Sequence, residues 1–129
     1  MQGLGRKGSS MPPGGRLRQL VVEEDINGVT IVNFAHKKIL DEQNIAQLGE
    51  ELTGLVDGPR KLLLNFQNVE YLSSAALGKL ISTHKAVVAA KGKIKFCCIQ
   101  PTIFEVFKIT GLHKMFEIHK DEQTALDKF

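Results

Sequence analysis

A chain of 129 residues makes one domain that buries roughly two-thirds of its unfolded surface, so neither a disulfide nor a metal is needed to hold it. Its 43% hydrophobic and 24% charged residues suit a globular domain, and no apolar run approaches the ~18 to 20 residues of a membrane span. The net charge of +3 belongs to the N-terminal stretch: Arg6, Lys7, Arg16 and Arg18 precede the first acid, Glu23, and the remainder carries 13 basic against 14 acidic residues.

A near-neutral remainder with no Trp and one Tyr lacks the basic stripe and interleaved aromatics of a nucleic-acid surface, so neither nucleic acid nor membrane is expected as a direct partner. Residues 1–16, MQGLGRKGSSMPPGGR, are rich in Gly, Ser and Pro with little to bury, which predicts a disordered tail ahead of a single domain over 17–129. Met1–Arg18 has no apolar core of a signal peptide, and the only cysteines, Cys97 and Cys98, are neighbours in a hydrophobic segment. A reducing, cytoplasmic setting is expected.

In chain order, RLRQLVVEED and VTIVNF are β-rich runs separated by INGV, and Asn27-Gly28 is a two-residue hairpin signal. LDEQNIAQLGEELTGLVDG places Ile45, Leu48, Leu52, Leu55 and Val56 on one helical stripe, with Asp41 as cap and Gly58-Pro59 as terminator. RKLLLNF has no polar alternation, the pattern of a strand covered on both faces. A second helix carries Leu77, Leu80, Ile81, His84, Val87 and Val88 inward and stops at Lys91-Gly92. KIKFCCI reads as another buried strand, and Pro101 opens a third helix with Ile103, Phe104, Phe107 and Val106 inward up to Gly111. KMFEIH predicts a short strand and KDEQTALDKF a closing helix, whose early Asp121 and Glu122 complement its dipole. The order β-β-α-β-α-β-α-β-α predicts an α/β fold: a mixed, mostly parallel sheet of about five strands, about four helices and an opening hairpin.

Ser73 and Ser74 stand where LLLNF has ended and the second helix begins, the strand-to-helix junction at which α/β folds collect ligands and chemistry. Ser73 suits an N-cap, and Ser74 would take the first helical position with its hydroxyl outward. A phosphate there would face free amides and the positive end of the dipole. Ala75, Ala76 and Gly78 would keep the surroundings low and open. The plainer reading is that the pair does no more than cap the helix. No His or acid adjoins the serines as general base, so an enzyme is not expected.

Elsewhere, His36, His84, His113 and His119 have no metal-ligand spacing, and no metal or cofactor is expected. Cys97 and Cys98, as consecutive strand residues, should point to opposite faces, where they neither chelate one metal easily nor form an unstrained bridge, and act as core. G-x-x-x-x-G-K-[ST], a post-strand G-x-G-x-x-G and G-x-S-x-G are absent. An apolar face around Val106, Ile109 and Leu112 would extend a partner surface if exposed, and Lys37-Lys38 would help to hold an acidic partner.

The run LLLNFQNVEYLSSAALGKLI, followed by GKIKFCCIQPTIFEVFKITGLHKMFEIHKDEQTAL, resembles the STAS domains, the anti-sigma-factor antagonists, over residues 17–129. The most specific parts are the Ser-small-small-Leu-Gly core and Thr110-Gly111-Leu112. The resemblance implies that Ser74 is the phosphorylated serine, that Ser73 replaces the usual preceding aspartate, that Ala76 replaces a glycine, and that Asp41 matches a second family aspartate. It further implies a partner surface of Asp41, Ser73, Ala75, Ala76, Leu77 and Gly78. The implied mechanism is partner switching: the unphosphorylated domain, a monomer when free, binds an anti-sigma-factor serine kinase, is released on phosphorylation, and is reset by a phosphatase. The alternative is an unmodified STAS interaction domain, or a nucleotide- or anion-binding module using the same junction.

Overall fold

Strand β4, Lys61–Asn65, is the centre from which the molecule is built: Leu62, Leu63 and Leu64 are all fully buried, so side chains on both of its faces meet other elements. The computed structural model describes residues 18–24 and 27–129. The described elements, in order, are β1 (Leu20–Glu24), β2 (Val29–Phe34), β3 (Lys38–Ile39), α1 (Glu42–Leu55), β4, β5 (Tyr71–Leu72), α2 (Ser74–Ala89), β6 (Lys93–Cys97), α3 (Pro101–Thr110), α4 (Leu112–Met115), β7 (Ile118–His119) and α5 (Glu122–Asp127). The main sheet has the order β1-β2-β4-β6-β7, with β1 antiparallel to β2 and the other pairs parallel. The expected α/β class is the observed one.

Helices cover the two faces unequally. Val32, Phe34, Leu62, Leu64, Phe66, Ile94 and Phe96 form one core with Ile45, Leu48 and Leu52 of α1, Leu77, Leu80 and Val87 of α2, and Ile103 and Phe107 of α3. The other face packs Val29, Ile31, Leu63 and Cys97 on Ala125 of α5. Within the first core Phe66 touches three rings, with centroids 4.7 Å from Phe34, 5.9 Å from Phe96 and 6.1 Å from Phe107. Phe116 stacks on Phe96 at 4.2 Å. This aromatic block lies directly under the loop leaving β4, giving that loop a stiff floor.

The opening hairpin forms, but not around a two-residue Asn27-Gly28 turn. Glu24 pairs with Thr30, leaving the five positions 25–29 between them, and an odd number excludes a two-residue loop in register; residues 25 and 26 lie outside the described ones. Gly28 does adopt φ +83°. At the start of β1, the Glu51 carboxylate accepts from the amides of Gln19 and Leu20, both at 2.9 Å, and from Gln47 Nε2 at 2.8 Å, tying the edge strand to α1. The expected tail, residues 1–16, lies outside the described residues.

Other expectations are revised in detail. The buried face of α2 runs through Ala76, Leu77, Leu80, Thr83 and Val87, while Val88 faces solvent. Thr83 is satisfied in the interior by donating to Lys79 O at 2.8 Å. Phe104 and Val106 are only half-buried. After α2 the left-handed residue is Lys91, φ 66°, not the glycine. Gly92 is required for space instead: a Cβ there would lie 3.0 Å from Arg60 N, closer still to the Arg60 carbonyl oxygen, and 3.1 Å from Val87 Cγ1. The segment after Gly111, φ 78°, makes the extra short helix α4 before β7. Cys97 ends β6, and Cys98 turns left-handed at φ 60°, so strand alternation lapses and the two sulfurs lie 3.6 Å apart instead of on opposite faces.

Candidate functional site

Two short segments, too brief to announce themselves by periodicity, organise the surface around Ser74. β3 and β5 pair in parallel, Lys38 with Tyr71 and Ile39 with Leu72. Paired residues share a face, so Ile39 and Leu72 turn to the core while Lys38 and Tyr71 stand outward, the Lys38 ammonium 5.4 Å from the Tyr71 ring centre. The Ser73 amide donates to Ile39 O at 3.1 Å, and the amides of Glu70 and Tyr71 to Lys37 O at 2.7 and 3.1 Å. Carried on two residues, the same register sets Asp41 level with Ser74. The ribbon thus presents the N-termini of α1 and α2 side by side, and those helices pack on each other.

The two helix starts are capped alike. Asp41 accepts from Gln43 N at 2.8 Å and Asn44 N at 3.4 Å, and Ser73 Oγ accepts from Ala76 N at 3.2 Å. Ser73, at φ −77° and ψ 165°, is the N-cap and half-buried. Ser74 is the first residue of α2 and exposed, so of the two hydroxyls one is engaged in the fold and the other faces outward. The first turn of α2 contains no acid, and its leading amides have no acceptor within the helix. A negative group on Ser74 would meet donors and the positive end of a sixteen-residue helix.

The loop bringing Ser73 here is anchored throughout. Phe66 N donates to Cys97 O at 3.0 Å and Val69 N to Phe66 O at 2.9 Å. Asn65 Oδ1 accepts from Gln67 N at 2.8 Å, Asn68 Nδ2 donates to Phe34 O at 3.0 Å, and Gln100 Nε2 donates to Gln67 O at 2.9 Å.

Of the residues expected to form a partner surface, Asp41, Ser74, Ala75 and Gly78 are exposed and Ser73 half-exposed, but Ala76 is 0% and Leu77 6% exposed. These two belong to the core because the first turn of α2 points them at the sheet; they can brace the surface without touching a partner. Nothing lies within 4 Å of a Cβ built on Gly78, so that position is open. Sequence reading missed Leu40 and Tyr71, each 55% exposed and set on the ribbon beside Ser74. The signal was present as an apolar residue ahead of each capped helix, Ile39-Leu40-Asp41 and Tyr71-Leu72-Ser73. Of the face expected around α3, Ile109 is 81% exposed but Leu112 is buried, since the Gly111 turn folds it inward. Lys37 is exposed and lies 3.9 Å from Glu70.

The strongest electrostatics lie away from the serines. Buried Lys95 pairs with Glu117, which also takes His119 Nε2 at 2.8 Å. The Lys95 hydrogen bond, opposed by partial burial and reinforced by His119, holds the Glu117 carboxyl below its ordinary range. His84, with its ring 5.3 Å from Phe116, is lowered by desolvation. Neither borders the Ser74 ribbon by any observed contact. No helix among the described residues is long and apolar enough to cross a membrane.

The family model of the STAS domain matches residues 21–125, which contain the ribbon and both capped helices. An anti-sigma-B factor antagonist of Staphylococcus aureus is 32% identical over 89 residues, 68% of this chain and 81% of that protein. Among solved structures, an anti-sigma-factor antagonist (STAS) domain protein from Planctomyces limnophilus superposes with a TM-score of 0.74 at 23% identity, covering 83% of this chain and 93% of that one. The phosphorylated form of the Bacillus cell fate determinant SpoIIAA gives 0.62 at 17% identity, covering 84% and 97%. With the mostly parallel sheet, the capped junction and the family match in agreement, the chain belongs to the STAS domain family of anti-sigma-factor antagonists.

Proposed function

We propose that this protein is a partner-switching antagonist whose signal is the state of Ser74. Unphosphorylated, it docks an anti-sigma-factor serine kinase on the surface made by Leu40, Asp41, Tyr71, Ser74, Ala75 and Gly78. Phosphorylation of Ser74 by that kinase releases it, and a phosphatase restores it. The observation that carries this reading is the division of labour between the serines: Ser73 Oγ is held by Ala76 N at 3.2 Å, while Ser74 is exposed at the first position of α2.

The physics separates folding from docking. A phosphate adds about −1.5 to −2 charges at neutral pH. Within the free domain the helix terminus and solvent accommodate it. At an interface that has covered Leu40 and Tyr71 the same charge must be desolvated, level with the Asp41 carboxylate, and binding weakens. Ser73 caps α2 without the charge that an aspartate at this position would bring. The name of the Staphylococcus relative and the phosphorylated form in which SpoIIAA was solved support the reading.

The test is incubation of the purified chain with ATP and a candidate anti-sigma kinase of the same organism, followed by intact-mass measurement. One added phosphate in the wild type and none in Ser74→Ala is the expected result. Persistence of the phosphate in Ser74→Ala, or nucleotide bound with no change in mass, overturns it, the latter in favour of an unmodified anion-binding module.

A further inference from the structure

We propose that Cys97 and Cys98 form a two-sulfur chelating site for a trivalent, thiophilic centre of the arsenic(III) class, separate from the Ser74 surface. The sulfurs lie 3.6 Å apart because β6 ends at Cys97 and Cys98 takes φ 60°, a backbone state that residues with a side chain adopt only under constraint. Both thiols are free. Cys97 is buried in the cluster that includes Leu63 and Ala125, against which Leu126 and Phe129 pack, while Cys98 is only half-buried and offers the approach.

Three observations select the ligand. First, bonds of ~2.3 Å from one atom to two sulfurs, meeting at roughly 100 to 109°, span about 3.5 to 3.8 Å, so the sulfurs already stand at the bite of a single bridging atom. A direct disulfide does not fit: neighbouring Cα atoms are ~3.8 Å apart across a trans peptide, below the ~4.4 Å at which unstrained bridges begin. Second, no group of three or more His, Cys, Asp or Glu able to hold a metal occurs among the described residues, so a zinc ion, which wants four ligands, would find two. A trivalent arsenical with one organic substituent needs only two sulfurs, and thiolates favour such soft centres. Third, burial first, then the hydrogen bond that the protonated Cys97 thiol shares with Cys98, then the charges of Cys98, Glu122 and Asp121, push the Cys97 thiol up. A protonated thiol is a poor target for peroxide, so the pair stays reduced, and condensation with an arsenoxide takes both thiol protons into water with no net deprotonation.

With phenylarsine oxide as probe, two As–S bonds form and the arsenic–oxygen double bond is lost. The two thiol protons leave with that oxygen as water, and arsenic remains trivalent.

The reduced full-length chain, without denaturant, is incubated with equimolar phenylarsine oxide and its intact mass is measured before and after excess monothiol or 2,3-dimercaptopropanol. Because the chain has only these 2 cysteines, an adduct reports this site alone. The expected result is one phenylarsenic per chain, resistant to the monothiol and removed by the dithiol. Cys98→Ser and Cys97→Ala, checked for folding by circular dichroism, should bind about 100-fold more weakly or worse, since each loses the second, intramolecular bond. An adduct stripped from the wild type by monothiol, one retained by folded Cys98→Ser, or one formed only after denaturation overturns the proposal.

Discussion

Exchanging each serine for alanine separates the two hydroxyls energetically. In Ser73→Ala the acceptor 3.2 Å from Ala76 N is lost. N-cap serine removal costs about 0.5 to 2 kcal/mol. Ala76 is 0% exposed, so water reaches its amide poorly, and the expectation is the upper half of that range, about 1.2 to 2 kcal/mol. In Ser74→Ala an exposed residue is replaced by a better helix former, and the change stays within about 0.5 kcal/mol of zero. Urea unfolding followed by circular dichroism reads both. With a slope of roughly 1 to 3 kcal/mol per molar, Ser73→Ala lowers the midpoint by about 0.4 to 2 M and Ser74→Ala scarcely moves it. Ser73→Asp restores the cap, with a charge that the helix dipole favours, and should return the midpoint to the wild-type value or above it. If Ser74→Ala is the more destabilising variant, or Ser73→Ala is neutral, the roles assigned to the two hydroxyls are wrong.

Gly92→Ala forces a Cβ against the Arg60 backbone, which cannot move aside as a flexible side chain can, and should cost at least about 2 kcal/mol in the same unfolding assay. Gly78→Ala meets nothing within 4 Å and replaces a helical glycine, so stability should rise by about 0.5 to 1 kcal/mol, while affinity for the kinase, measured by calorimetry, falls because the open position is filled. For His84 the folded pKa lies below the unfolded value, about 6.5. Its contribution is therefore fully present above that pH and is lost as pH falls, the unfolded chain taking the proton first. Thermal melts between pH 5 and 7.5 should show His84→Gln with a shallower acid-side decline than the wild type.

Much of the architecture was legible because long elements carry redundant signals. The aliphatic run of β4, the Asp41 cap and the Pro101 start each name one element by themselves, and their order implies the parallel sheet. The ribbon of β3 and β5 was not legible: two residues per strand show no period, and the pairing that sets Asp41 level with Ser74 spans thirty-odd positions of sequence. The inward face of α2 was misjudged because Ala76 and Thr83 read as neutral while Val88 reads as apolar. Packing put these small residues on the buried side of α2. Strand alternation also failed at Cys97-Cys98, where one left-handed residue cancels the rule. At the serines, spacing correctly distinguished cap from first helical residue; that Ala76 and Leu77 turn inward depends on the tilt of the first turn, which spacing does not supply.

The most direct measurement is calorimetric titration of the anti-sigma kinase with the chain unphosphorylated and with the chain phosphorylated once, at Ser74. The account predicts an affinity lower by about 5- to 150-fold for the phosphorylated form, with its circular dichroism spectrum unchanged. Equal affinity for the two forms would contradict it.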